Sequence, residues 1–206
     1  MRKYLRNILS AFFVVFLYSC KGQSKIDNCE ASLTRANKLV NLYAPNFNRE
    51  GLHSAMLPLD TAMQCEKTRS KAIAAKISLF TVLREYIQGK DFMATLSESD
   101  FVLEFQKKMY SDIFIASDYE ANDDTLKRNE IYNGTITMID NYINTHHPEK
   151  VQDNKEAYYN LFFIKSRAYD SKKIMNDITD LINKYPSEKV FFEDLKNMAL
   201  EDLKNN

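Results

Sequence analysis

The chain has 206 residues, with 28 basic and 28 acidic side chains and a net charge of zero. Without a basic excess there is no stripe for a phosphate backbone, so nucleic-acid binding is disfavoured. With only Gly22, Gly51, Gly89 and Gly134, no glycine-rich phosphate loop or dinucleotide fingerprint can be assembled, and neither a nucleophile elbow nor a zinc helix motif is present.

Met1, Arg2, Lys3 and Arg6 form a basic start, followed by an apolar run from Ile8 to Tyr18 broken only by Ser10. Eleven residues are too few to span a bilayer, which takes about 20, but they match the core of an export signal. Leu17-Tyr18-Ser19-Cys20 resembles the processing site of bacterial lipoproteins, in which a small residue precedes a cysteine that is acylated and becomes the mature N-terminus. The resemblance implies removal of residues 1–19, a lipid on Cys20 and an anchor most consistent with the periplasmic face of the outer membrane. The mature chain would keep 187 residues, with 25 basic against 28 acidic side chains, a net charge of about −3. Residues 20–26 read as a short polar tether and 27–206 as one helical domain.

Beyond the signal, apolar residues recur at three and four, the helical period, and eight helices are expected. The first covers Asp27 to Ala44 with a stripe of Cys29, Leu33, Ala36, Val40 and Tyr43, and Pro45-Asn46-Phe47-Asn48 closes a loop. The second covers about Leu52 to Lys67, where Pro58 either kinks the helix or marks a later start. The third runs from Arg69 to Gln88 and stops at Gly89, and the fourth is capped by Ser97 and Ser99 and continues through Phe101, Phe105, Met109 and Ile113. Ser117 to Asp124 reads as an acidic loop and helix cap, because a calcium loop would also need a central glycine and a distal glutamate. The fifth spans Thr125 to His146. Its Asn133-Gly134 is also a hairpin signal, but Ile131, Thr135, Ile139 and Ile143 keep the four-residue period across it. The remaining helices are about Asn154 to Tyr169, Lys173 to Tyr185 and Glu188 to Lys204, the last with Phe192, Leu195, Ala199 and Leu203 on one face.

Ile139, Ile143, Asn144, Glu149, Lys150 and Val151 recur as Ile178, Ile182, Asn183, Glu188, Lys189 and Val190, which suggests one helix-pair unit used twice. Ala157 to Pro186 resembles a tetratricopeptide repeat, with Tyr158 and Leu161 at its large positions, Ile178 at the aromatic position of its second helix and Pro186 as the closing proline. Phe162 and Ile174 stand where that family has glycine and alanine, so the two helices approach less closely. Ala55, Leu59 and Ala62, and Gly89 with Ala94, give weaker matches. The endings Tyr142 to Pro148 and Leu181 to Pro186 are similar to those of repeat lipoproteins in outer-membrane assembly machinery. The resemblance implies an all-α, right-handed stack of about four helix hairpins, a tetratricopeptide-like solenoid.

Two cysteines remain once Cys20 is acylated. Cys29 and Cys65 lie equally far in sequence from Phe47 and would meet on antiparallel helices in an oxidising compartment, the alternative being two buried free thiols. His53, His146 and His147 do not form a same-face pair, so no metal is expected, and no cofactor. The expected work is protein or peptide binding without catalysis; the alternative is a helical solute-binding or enzymatic lipoprotein with a dispersed site. On the sixth helix Tyr158 and Phe162 form one aromatic pair and Tyr159 and Phe163 another about 100° round. If the first pair fills the hairpin, the repeat resemblance makes Glu156, Tyr159, Phe163, Ser166 and Arg167 groove-lining positions. The alternative buries Tyr159 and Phe163 against the fifth or eighth helix.

Overall fold

The computed structural model describes residues 28–205, with side chains to Glu201. The signal, Cys20 and the tether lie outside the described residues. Among those described every regular element is helical: α1 (28–43), α2 (Arg49–His53), α3 (Met56–Ala62), α4 (Glu66–Leu83), α5 (Tyr86–Ala94), α6 (Gln106–Ala121), α7 (Thr125–Thr145), α8 (Lys155–Ala168), α9 (Ser171–Lys184) and α10 (Lys189–Asn205). The chain divides into two compact units, one ending at Glu85 and one beginning at Tyr86. No proline, glycine or serine marks that boundary in the sequence.

In the first unit, Ala36 of α1, Leu52, Ala55, Leu59 and Ala62 around α2 and α3, and Ala72, Leu79 and Leu83 of α4 form one core, with Leu33, Val40 and Tyr43 packed at its edge. The expected single second helix is broken at Ser54–Ala55. Pro58 falls in the first turn of α3, where its missing N–H would have had no helical acceptor. Pro58 therefore marks a later start instead of a kink.

Cys29 and Cys65 are joined by a disulfide, with Cα atoms 6.2 Å apart. Cys65 sits in extended backbone as the N-cap of α4 and not on a helix face. Closing this 36-residue separation stabilises the unit by about 3–4 kcal/mol in the chain-entropy model. The bridged turn also satisfies its own carbonyls: Thr68 Oγ1 donates to Ala62 O at 2.5 Å and Arg69 Nη1 to Met63 O at 3.1 Å.

The third helix was expected to reach Gly89 but ends at Leu83. Arg84 takes left-handed backbone (φ 56°), and Glu85 N bonds back to Phe80 O at 2.9 Å. Arg49 fixes this end, donating through Nη1 to Leu83 O at 3.0 Å and through Nη2 to the buried Glu85 carboxylate at 2.5 Å. His53 Nε2 contacts the same Glu85 oxygen at 2.7 Å. A long-range guanidinium replaces the glycine stop that the local sequence lacks.

In the second unit the helices pack chiefly on their chain neighbours, α5 on α6, α6 on α7, α7 on α8 and α9 on α10, while α8 also packs on α10. The core joins Met109 and Ile113 of α6, Tyr132, Ile136 and Ile139 of α7, Leu161, Phe162 and Ile164 of α8, Ile174 and Ile178 of α9, and Phe192, Leu195 and Ala199 of α10. The Leu203 side chain lies outside the described residues. Ser97 caps only a short 3-10 turn, Glu98–Asp100, and α6 begins five residues after Phe101, at Gln106, whose side-chain oxygen accepts from Val102 N and Leu103 N. The acidic loop shrinks as well: α6 runs on to Ala121, and Asp124 caps α7 by accepting from Lys127 N at 3.1 Å.

The 39-residue recurrence corresponds to two helix ends. α7 stops at Thr145 and α9 at Lys184, the equivalent position, and each is followed by a 3-10 turn and another helix. The second connection is shorter, so register is lost after the helix end: Val151 is buried and Val190 exposed. α8 and α9 touch more sparsely than α9 and α10, and Phe162 and Ile174 are both fully buried in the same core.

The two glycines of the second unit give opposite expectations. A Cβ on Gly89 would lie 2.4 Å from the Phe114 ring, whereas one on Gly134, on the wet side of α7, meets nothing within 4 Å. Gly89→Ala should lower stability by about 1–3 kcal/mol and Gly134→Ala should raise it by about 0.5–1 kcal/mol, read as shifts in denaturant midpoint.

Candidate functional site

The sequence of α8 carries two apolar runs, Ala157-Tyr158-Tyr159 and Leu161-Phe162-Phe163-Ile164, separated only by Asn160, so its apolar arc is too wide for one neighbour. Its start is pinned by the buried Asn154, whose Nδ2 donates to His146 O at 2.7 Å and His147 O at 3.2 Å, tying the end of α7 to the first turn of α8. Tyr158 is 3% exposed and Phe162 0%. Tyr158 meets Phe192 of α10 edge-on at 5.4 Å. The first aromatic pair therefore lies in the core.

The second pair faces outward in part. Tyr159 is 36% exposed, its ring held edge-on by Phe191 at 5.5 Å, while Phe163 is half-buried beneath the Arg167 guanidinium, 4.8 Å from the ring centroid. Glu156 is exposed and accepts from Gln106 Nε2 of α6 at 3.3 Å. Neither expectation for Tyr159 and Phe163 is met in full, since each ring is braced on one side and wet on the other. Ser166 does not line this face: it is 3% exposed and returns its hydroxyl to Phe163 O at 2.7 Å, as a small polar residue inside a helix commonly does.

Beneath Arg167 lies a feature that the sequence did not signal. Tyr132 Oη of α7 and Arg167 Nε are buried without a hydrogen-bond partner among the described residues. Burial pushes the Tyr132 hydroxyl pKa up, opposed by the Arg167 charge and by Ser117 beside it. Donors left unpaired in this way cost stability, and one is joined to the exposed aromatic face.

On the other side of α8 a cleft of about 260 Å³ separates α7 from α9. Ile143, Leu161 and Leu181 line it together with Asp140, Asn144, Tyr158, Lys165, Asp177, Asp180, Lys184 and Tyr185. Lys165 crosses from α8 to pair with Asp177 of α9 at 2.7 Å. Burial raises the Asp140 pKa, Lys165 partly opposes the shift and Asp177 adds to it. Burial also raises the pKa of the Tyr158 hydroxyl, with the Tyr185 hydroxyl beside it adding to the shift.

The histidines are spread apart. His53 serves Glu85, His146 stacks on Tyr142 at 4.0 Å, and His147 is exposed in left-handed backbone. Among the described residues no group of three or more His, Cys, Asp or Glu side chains is placed to hold a metal ion. No helix of the described residues is long and apolar enough to cross a membrane.

The two aromatic pairs of α8 should separate cleanly in stability. Phe162→Ala opens a cavity in the core and should cost about 3–5 kcal/mol, whereas Tyr159→Ala loses one edge-on ring contact and should cost only about 1 kcal/mol. Equilibrium denaturation of the two variants checks this.

No family model, no curated protein and no solved structure matches this chain.

Proposed function

We propose that the mature chain is a lipid-anchored module on the periplasmic face of the outer membrane that binds a protein or peptide across the outward face of α8. The export signal and Cys20 support the anchor, and α8 supports the binding surface. The observation that carries the reading is the half-exposed Tyr159 ring, fixed by Phe191 and set on the same face as Phe163, Arg167 and Glu156. Aromatic rings already held in place lose little freedom on binding, and an arginine beside them supplies directional donors, the combination enriched at interaction hot spots. In this reading the helices of the second unit are degenerate tetratricopeptide-like hairpins whose first helices carry the surface, and no catalytic role is assigned. The alternative, a helical solute-binding or enzymatic lipoprotein, draws its support from the cleft between α7 and α9.

Affinity capture from detergent-solubilised membranes tests the proposal. The wild-type chain should co-purify with a discrete partner that is lost in a Tyr159→Ala, Arg167→Ala variant of near-normal thermal stability, and Cys20→Ser should release the protein from the membrane fraction. Undiminished capture by the double variant would contradict the assigned surface, and Cys20→Ser protein that stays with membranes would contradict the anchor.

A further inference from the structure

The cleft between α7 and α9 has a charge balance that its own ion pairs leave incomplete. Lys165 and Asp177 neutralise each other at 2.7 Å, and the Lys165 ammonium is further held 5.0 Å from the Phe162 ring centroid. Lys184 lies at the rim, 5.0 Å from the ring centroid of Tyr185. The lining thus holds three carboxylates against two ammonium groups: Asp140, on which the Lys165 charge also acts, and Asp180, exposed at the rim like Lys184, form no salt bridge among the described residues.

Asp140 is half-buried, in surroundings that disfavour an unpaired carboxylate. The neutral groups at the same place are acceptors too. Tyr185 Oη donates to Pro148 O at 2.9 Å, so its own oxygen keeps lone pairs to accept with, and the Tyr158 hydroxyl lines the same cleft. Asn144 contributes an amide carbonyl at the edge, and Ile143, Leu161 and Leu181 supply an apolar wall for a short stem. A volume of about 260 Å³ falls just under the range usual for whole drug-sized ligands and suits one side-chain-sized group.

We propose that this cleft is a binding site for a single organic cation, an alkylammonium or guanidinium group on a short apolar stem, received by Asp140 and Asp180. Its source is either a free amine or an arginine or lysine side chain of a peptide. The site lies across α8 from Tyr159 and stands independently of the partner surface proposed there.

Titration calorimetry on the full mature lipoprotein in detergent at neutral pH tests this, with agmatine, acetyl-Gly-Arg-Gly-amide and the anion valerate as probes. Agmatine should bind, Asp140→Asn should weaken it by about tenfold or more, Asp180→Asn should weaken it less, and valerate should give no binding heat. Tighter binding of the tripeptide than of agmatine would assign the cation to a peptide, and the reverse to a free amine. Folding is controlled by thermal unfolding: because the Asp140 pKa is raised in the fold, its ionisation opposes folding as pH rises through that range, so Asp140→Asn should unfold at the wild-type temperature or above. Equal agmatine affinity in wild type and a folded Asp140→Asn variant, valerate binding as well as agmatine, or no heat from either cation would overturn the proposal.

Discussion

Burial of Tyr158 and Phe162 fixes the rotation of α8, and the arrangement of the second unit follows from that. Phe162 is wholly enclosed and Tyr158 is locked edge-on by Phe192, so neither ring can exchange places with its sequence neighbour without opening the core. Because adjacent helical residues point about 100° apart, that one choice sends Tyr159 and Phe163 to the outer face. The same rotation carries Lys165 into the gap between α7 and α9, where it meets Asp177. Both candidate surfaces are thus consequences of a single packing decision.

The first unit depends on a different kind of constraint. Its core is built largely of alanine and leucine, which leaves less apolar area per residue than the aromatic core of the second unit. The disulfide and the Arg49–Glu85–His53 cluster compensate, one by restricting the unfolded chain and the other by closing the end of α4. Glu85 is buried with two cationic or hydrogen-bonding partners, the arrangement in which a buried carboxylate is tolerated. Removing one partner leaves the other groups of such a cluster uncompensated.

The helical period was legible wherever apolar spacing was unbroken: α7 crosses Asn133-Gly134 because the period continues, and the cysteine pairing followed from what was left once Cys20 was set aside. Elements closed by distant residues were not legible. Nothing near Arg84 announces a helix end, because the groups that end α4 come from Arg49, and nothing in the Phe101 to Phe105 stretch announces a connection held by the Gln106 side chain. The candidate sites divide in the same way. Tyr159, Phe163 and Arg167 were readable because they share one helix face at fixed spacing, and Ser166 was misplaced because that spacing says nothing about how deep a neighbouring position sits. The cleft groups Asp140, Lys165 and Asp177 come from three helices and share no local pattern.

The rotation of α8 is open to direct measurement, since Tyr158 and Tyr159 are adjacent and fragment mass spectrometry tells them apart. Hydroxyl-radical footprinting of the native protein should modify Tyr159 at a rate well above that of Tyr158, and unfolding in denaturant should bring the two rates together. Equal modification of both tyrosines in the native protein, or preferential modification of Tyr158, would contradict the packing on which both surfaces rest.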